Sequence, residues 1–295
     1  MFKLSLGLVL LLWSVIPDLG YSQNNLNTPQ TELAKRQQIE TSLTLLENRN
    51  HLIPLDRLDT LKIAALSVGE IHPTEFQQML ANYMKVDFFN LPEQFTEKDL
   101  TGLKAKLGSY NMIIAGIHAF TNSEPLMDFL YKEKTSIITW FCDPRLLGEM
   151  KISGKPAGLV VAFQNDSLTK SLSAQLIFGG IGAKGKLPAD LGQSYKKGDG
   201  ITIEKPIRLK YTIPEEVGIN SFNLKNDLDS IVNHALGKRA FPGCNVLVAK
   251  DGKVIFHQAY GYHTFDNRTP ERKDDLYDLA SVTKISGGLP GILKL

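Results

Sequence analysis

Between Thr28 and Gly192 the sequence alternates short, wholly apolar runs with longer amphipathic ones, and this constrains the fold more than any other feature. The apolar runs fall at 61–67, 86–89, 112–117, 136–141 and 158–163. The amphipathic stretches fall at 75–84, 96–107, 124–132 and 167–178. A strand that is apolar on both faces must be covered on both, and the interleaved helices supply the covers. The pattern predicts an α/β domain over 28–192, a doubly wound, mostly parallel sheet between two helix layers, an αβα sandwich. Thr28-Pro29 starts its first helix, a hydroxyl cap followed by proline, and places Leu33, Ile39, Leu43 and Leu46 on one face. Thr96 and Asp99 read as a capping box, and Gly179-Gly180 stops the last helix.

The pattern changes after that domain. Residues 193–200 are polar and rich in Gly and Lys, and the chain stays extended to Pro214, so 193–213 reads as a linker. From 214 to 295 a helix capped by Ser221 carries Leu224, Leu228 and Ile231 and closes at Gly237. Two β-rich runs, 245–250 and 253–258, are joined by Asp251-Gly252, a strong hairpin signal. A further helical stretch begins at Ser281, which makes this the opening of an α+β domain.

At the other end, Lys3 precedes an apolar run over 4–16, broken by Pro17, Asp18 and Gly20, with small residues at Gly20 and Ser22. This is the layout of a secretory signal peptide over 1–22, its apolar core too short for the roughly 20 residues that cross a bilayer. The expected location is secreted or periplasmic, and with no cysteine after the signal to carry lipid, no membrane anchor is expected once it is removed. Cys142 and Cys244 flank apolar runs, so two buried thiols are expected, with a disulfide left open. A net charge of +2 gives no case for nucleic acid.

Ser-x-x-Lys places an ammonium beside a hydroxyl on one helix face, where it can take or polarise the serine proton. The spacing recurs at Ser167/Lys170, in a helix of the first domain, and at Ser194/Lys197, in the linker, where it reads as coincidence. Ser281/Lys284 differs by its context, Leu276-Tyr277-Asp278-Leu279-Ala280-Ser281-Val282-Thr283-Lys284. Upstream stand Pro214-Glu215-Glu216-Val217-Gly218-Ile219 and Phe241-Pro242-Gly243-Cys244-Asn245-Val246, and later Tyr260-Gly261-Tyr262. Together these resemble the start of a serine β-lactamase or penicillin-binding-protein-like domain, of the class C and esterase branches. The resemblance implies that Ser281 is the acyl-accepting nucleophile, that Lys284 is its activating base and that the Ser281 N–H serves the oxyanion hole. That family also uses a Tyr-x-Asn or Ser-x-Asn box and a Lys-Thr-Gly or His-x-Gly strand. The chain ends 14 residues after Ser281 without either, so a truncated domain is expected.

The first domain has a resemblance of its own. Ser42-Leu43-Thr44-Leu45-Leu46-Glu47-Asn48 with Leu52-Ile53-Pro54-Leu55, and Ala174-Gln175-Leu176-Ile177-Phe178-Gly179-Gly180 with Gly185-Lys186-Leu187-Pro188-Ala189-Asp190, resemble the two ends of the C-terminal α/β domain of family 3 glycoside hydrolases. In that family the nucleophilic Asp lies on a barrel that precedes this domain, and no such barrel is expected here. Glycosidic cleavage needs two carboxylates across the bond, and Asp87, Glu124, Asp128 and Asp143 read instead as solvated loop or helix residues. His118, after an apolar run, either lines a pocket at a strand end or is a structural histidine. His234, His257 and His263 show no ligand spacing, and no metal or cofactor is expected. Gly179-Gly180-Ile181-Gly182 follows a helix rather than a strand, the wrong context for a phosphate loop.

Two functions follow as expectations. One is a secreted hydrolase joining a family 3 accessory domain to the nucleophile-bearing start of a β-lactamase-like acyl hydrolase, for glycan or cell-wall processing. Its substrate would be a glycan or an acyl or β-lactam-like small molecule. The other is a catalytically inactive, secreted glycan-binding or scaffold protein.

Overall fold

The computed structural model describes residues 28–120, 124–132, 135–150 and 154–294. The expected signal peptide lies outside the described residues. The chain enters through α1 (Pro29–Ser42), capped by Thr28, whose side chain accepts from the Thr31 N–H. The expected face of this helix is cut short. Leu43 is already its C-cap, and Leu46 lies in β1 (Thr44–Asn48). The Ser42 hydroxyl bonds back to the Ile39 carbonyl, and the β1 backbone pairs antiparallel with β6 (Gly158–Val161). A helical periodicity that fits Leu46 by coincidence yields there to a sheet edge that needs a partner.

Between them run β2 (Ile63–Val68), α2 (Glu75–Ala81), β3 (Asp87–Leu91), α3 (Glu97–Leu107), β4 (Met112–Ile117), α4 (Glu124–Lys132), β5 (Ser136–Trp140) and α5 (Arg145–Glu149). After β6 comes α6 (Ser167–Phe178). The sheet order is β1-β6-β5-β4-β2-β3, parallel except for β1. All six residues of β2 and of β4 are buried. Successive side chains go to opposite faces. Leu66, Ile113, Ile138 and Trp140 join the core under α3, α4 and α5, and Ile63, Ala65, Ile114 and Val160 join the core under α1, α2 and α6. The expected doubly wound αβα sandwich therefore forms, and α2, α3, α4 and α6 lie where the sequence puts them.

Polar chemistry trims the ends. The Thr96–Asp99 capping box forms, and so does a second, unexpected one at Thr74–Gln77. Gln77 is fully buried and satisfied, its amide donating to Ala65 O at 2.8 Å and Phe89 O at 3.0 Å. Gly179 closes α6 at φ 74°, where a side chain would be strained, and the Gly180 N–H reaches back to Gln175 O at 2.7 Å.

The stretch 193–213 is laced to the first domain. Arg208 donates to the carbonyls of Leu55, Phe178 and Asp56. The buried Gln175 side chain accepts from Tyr211 N–H at 2.8 Å and donates to Tyr211 O at 3.0 Å. Lys210, 8% exposed, pairs with Glu40 of α1 at 2.6 Å and Glu216 at 2.8 Å. The same two residues, β7 (Lys210–Tyr211), pair parallel with β9 (Lys253–Gly261), so one short strand belongs to both regions.

Beyond it lie α7 (Ser221–Gly237) and β8 (Gly243–Lys250), paired antiparallel with β9. Asp251 and Gly252 take φ values of 52° and 74°, as a tight hairpin turn requires. Two details differ from expectation. The α7 cap is Asn220, whose side chain accepts from Asn223 N–H at 2.9 Å. Ile231 is 67% exposed and Val232 is the buried residue, because the inward face advances in steps of four from the half-buried Leu224 and Leu228. The described residues end in α8 (Leu289–Lys294), and no helix among them is long and apolar enough to cross a membrane.

Candidate active site

Local backbone geometry builds the Ser281 segment. Asp278 Oδ1 accepts from Ala280 N–H at 3.0 Å, which holds the turn ahead of the serine. Ala280 adopts φ 44°, a left-handed conformation that costs a side-chain-bearing residue energy and occurs where a neighbour must be aimed. Three successive short turns follow, Val282 N–H to Leu279 O, Thr283 N–H to Ala280 O and Lys284 N–H to Ser281 O, at 2.9, 3.2 and 3.1 Å. A wider π-type turn over Lys284–Gly288 then leads into α8. This winding brings Lys284 Nζ to 3.2 Å from Ser281 Oγ, donor to acceptor. Both side chains are exposed.

The pair has the elements of an acyl-transfer nucleophile, a hydroxyl with a basic nitrogen in hydrogen-bond reach. A lysine acts as a base when burial or a neighbouring cation disfavours its ammonium form. Among the described residues, no carboxylate or imidazole hydrogen-bonds to Ser281 Oγ.

The other Ser-x-x-Lys spacings come to nothing of the kind. Lys170 turns to Glu70 at 3.2 Å, and Lys197 lies in a loop where its backbone N–H bonds to Asp190. Asp87 accepts from Tyr110, Asp128 pairs with Lys132, Asp143 pairs with Arg145, and Glu124 sits in the first turn of α4. Cys142 and Cys244 are free, half-buried thiols, and burial pushes the Cys142 thiol up to about 12.

His118, at the carboxyl end of β4, is 8% exposed and stacks on Phe141 at 4.6 Å. Its Nδ1 lies 2.8 Å from Asn165 Oδ1, and the Asn165 amide donates to the His118 carbonyl. That arrangement assigns the proton to Nδ1 and leaves Nε2 a bare acceptor with no partner among the described residues. Burial depresses its pKa to about 4, against the smaller opposing effect of the Asn165 bond.

Two features escaped the sequence reading. A cleft of about 950 Å³ opens between α1, the β6–α6 loop and the start of the second region, with Gln38, Ser42, Phe163, Gln164, Ser167 and Glu215 on its walls. Phe163 stands there at φ 63°, rare for an aromatic residue. The other is His263, whose Nε2 lies 2.7 Å from Asp275 Oδ2 and close to Glu271. A His and two acidic residues within 13 positions were the available signal.

The family model for Beta-lactamase matches residues 228–289, a stretch that contains both Ser281 and Lys284. That segment is β-lactamase-related. Over 71 residues the chain is 38% identical to Protein flp of Staphylococcus aureus (strain NCTC 8325 / PS 47), which is 24% of this chain and 14% of that protein. It is 32% identical over 71 residues to Esterase EstB of Burkholderia gladioli, 24% of this chain and 18% of that protein. The chain thus spans about a seventh of the length of the flp relatives. Among solved structures, the chain is similar to a family 3 β-N-acetylglucosaminidase from Paenibacillus sp. str. FPU-7, with TM-score 0.47, 18% identity and coverage of 58% of this chain and 34% of that one. It is similar to a β-glucosidase from Listeria innocua at TM-score 0.47 and 18% identity, covering 59% and 29%. These neighbours are glycosidases, and the relatives of the β-lactamase-related segment include an esterase.

Proposed function

We propose that the β-lactamase-related segment performs acyl transfer, with Ser281 as nucleophile and Lys284 as base. The observation that carries this reading is the 3.2 Å contact between Lys284 Nζ and Ser281 Oγ inside the matched segment. Ser281 Oγ attacks the acyl carbonyl as its proton passes to Lys284 Nζ, giving a tetrahedral oxyanion next to the Ser281 N–H. Collapse expels the leaving group, which takes the proton, and water hydrolyses the acyl-serine. The substrate class is an ester, a β-lactam or a peptidoglycan peptide. The 28–192 domain would serve as the accessory domain of a glycan-processing hydrolase, exported to the periplasm or medium by the segment 1–22. The test is labelling with a fluorophosphonate probe, together with turnover of nitrocefin and p-nitrophenyl esters. Labelling that disappears in Ser281→Ala supports the reading, and an unlabelled Ser281 in the folded chain overturns it.

The exposure of Ser281 and Lys284 favours a second reading, a glycan-binding or scaffold protein without turnover. The cleft walled by amides, hydroxyls, the carboxylates of Glu32, Asp166 and Glu215, Lys35 and Phe163 is the kind of surface on which sugar hydroxyls find partners. Saturable binding of chito- or gluco-oligosaccharides, with no hydrolysis of any of these substrates, would decide for it.

A further inference from the structure

After β9 the chain makes a compact excursion over 262–277 before it reaches the serine. Here His263, Glu271 and Asp275 each present one donor atom, and the three atoms lie within 4.8 Å of one another. His263 Nε2 is 2.7 Å from Asp275 Oδ2 and 4.0 Å from Glu271 Oε2. The backbone holds the three in place. The His263 N–H bonds to Thr269 O at 2.9 Å and the Glu271 N–H to Gly261 O at 3.0 Å. The Arg272 N–H donates to Asp275 Oδ2 at 2.6 Å.

Glu271 makes this cluster more than a surface ion pair. Its side chain is 6% exposed, its Oε1 is taken by the Tyr277 hydroxyl, and its Oε2 faces His263 Nε2 at 4.0 Å. A carboxylate largely withdrawn from water is stabilised by a positive charge close to it. The nearby guanidinium, Arg272, is turned out to Asp274 at 3.6 Å, with both side chains well exposed. Two carboxylates face one imidazole here, with the Arg272 charge acting on Asp275 from outside the three-residue contact.

We propose that His263 Nε2, Glu271 Oε2 and Asp275 Oδ2 bind a divalent transition-metal ion of the zinc class, with water at the remaining position. One imidazole nitrogen and two carboxylate oxygens suit Zn2+, whose bonds to such donors run about 2.0–2.2 Å. Donors around such an ion stand about 3.3 Å apart, so the His–Asp contact opens and the His–Glu gap closes, each by less than about 1 Å. On binding, His263 gives up its proton or its bond to Asp275 and donates its Nε2 lone pair to the ion. Ca2+ is the wrong class, because it takes 6–8 oxygen ligands. The ion ties the end of β9 to Asp275, six residues before Ser281, and so steadies the approach to the serine.

The test is calorimetric titration of the full chain with ZnCl2, alongside the visible d–d absorption of Co2+ as a substitute ion. The expected result is one equivalent of Zn2+, with affinity reduced at least about tenfold in His263→Ala and in Glu271→Gln and unchanged in Ser281→Ala, a factor worth about 1.4 kcal/mol. NMR of the wild-type imidazoles gives a reading that needs no variant, since Zn2+ should shift the His263 ring and leave His234 and His257 in place. No saturable Zn2+ binding overturns the proposal. So does binding that both variants leave intact, a shift confined to other histidines, or Ca2+ bound as tightly as Zn2+.

Discussion

β4 and β8 are both short, apolar-rich strands, yet one is sealed and the other open. Every residue of β4 is buried, Ile113 and Ile114 completely. In β8 none is fully buried, and Leu247 is 49% exposed. β4 lies mid-sheet with a helix layer on each face. β8 is an edge of a three-stranded sheet with α7 against it. The openness extends to Ser281, where Leu276, Leu279, Val282 and Ile285 are all exposed. The contrast shows that an apolar run specifies a strand locally, while its burial depends on what a second layer brings.

The sharpest way to break the contrast is to empty a site in the sealed region. Trp140 is fully buried and anchors its indole N–H on Asp143 O at 3.0 Å. Trp140→Ala should cost about 3–5 kcal/mol in urea unfolding, whereas Leu276→Ser, at a side chain 99% exposed, should move stability by less than about 0.5 kcal/mol. Comparable losses at the two sites would mean that the second region is packed like the first.

A pH titration sharpens the comparison next. His118 folds with a pKa of about 4, below its unfolded value near 6.5, so the folded state holds the neutral ring. The resulting stability is complete above about pH 6.5 and declines as pH falls toward 4, by at most about 3 kcal/mol. Lys170, Glu70 and Glu75 also act on the ring, the first lowering and the two carboxylates raising its pKa. Chemical denaturation between pH 7 and 5 should therefore show a downward slope that His118→Gln flattens. A slope that survives the substitution would assign it to other groups. The smallest effect belongs to α7, where Asn220→Ala removes the cap and should lower the thermal midpoint by an amount equivalent to about 1 kcal/mol.

Much of the fold was legible because its signals are local. Alternating runs located the five parallel strands, and Asp251-Gly252 located the hairpin. The three-residue spacing of Ser281 and Lys284 placed their side chains within reach, because one turn of backbone suffices. Leu46 and Ile231 were misassigned for the complementary reason. A periodicity of three or four fits them, but the antiparallel pairing of β1 in one case and the seating of α7 in the other decided their faces.

By itself the sequence determined the element types, the order of the two regions and the candidate nucleophile. Only the tertiary structure joined Gln175 to Tyr211 across the two regions, His118 to Asn165 over 47 positions, and His263 to Glu271 and Asp275. Local conformation depends on nearest neighbours along the chain, which residue spacing encodes. Contacts between distant polar groups depend on how finished elements pack, and no local period carries that information.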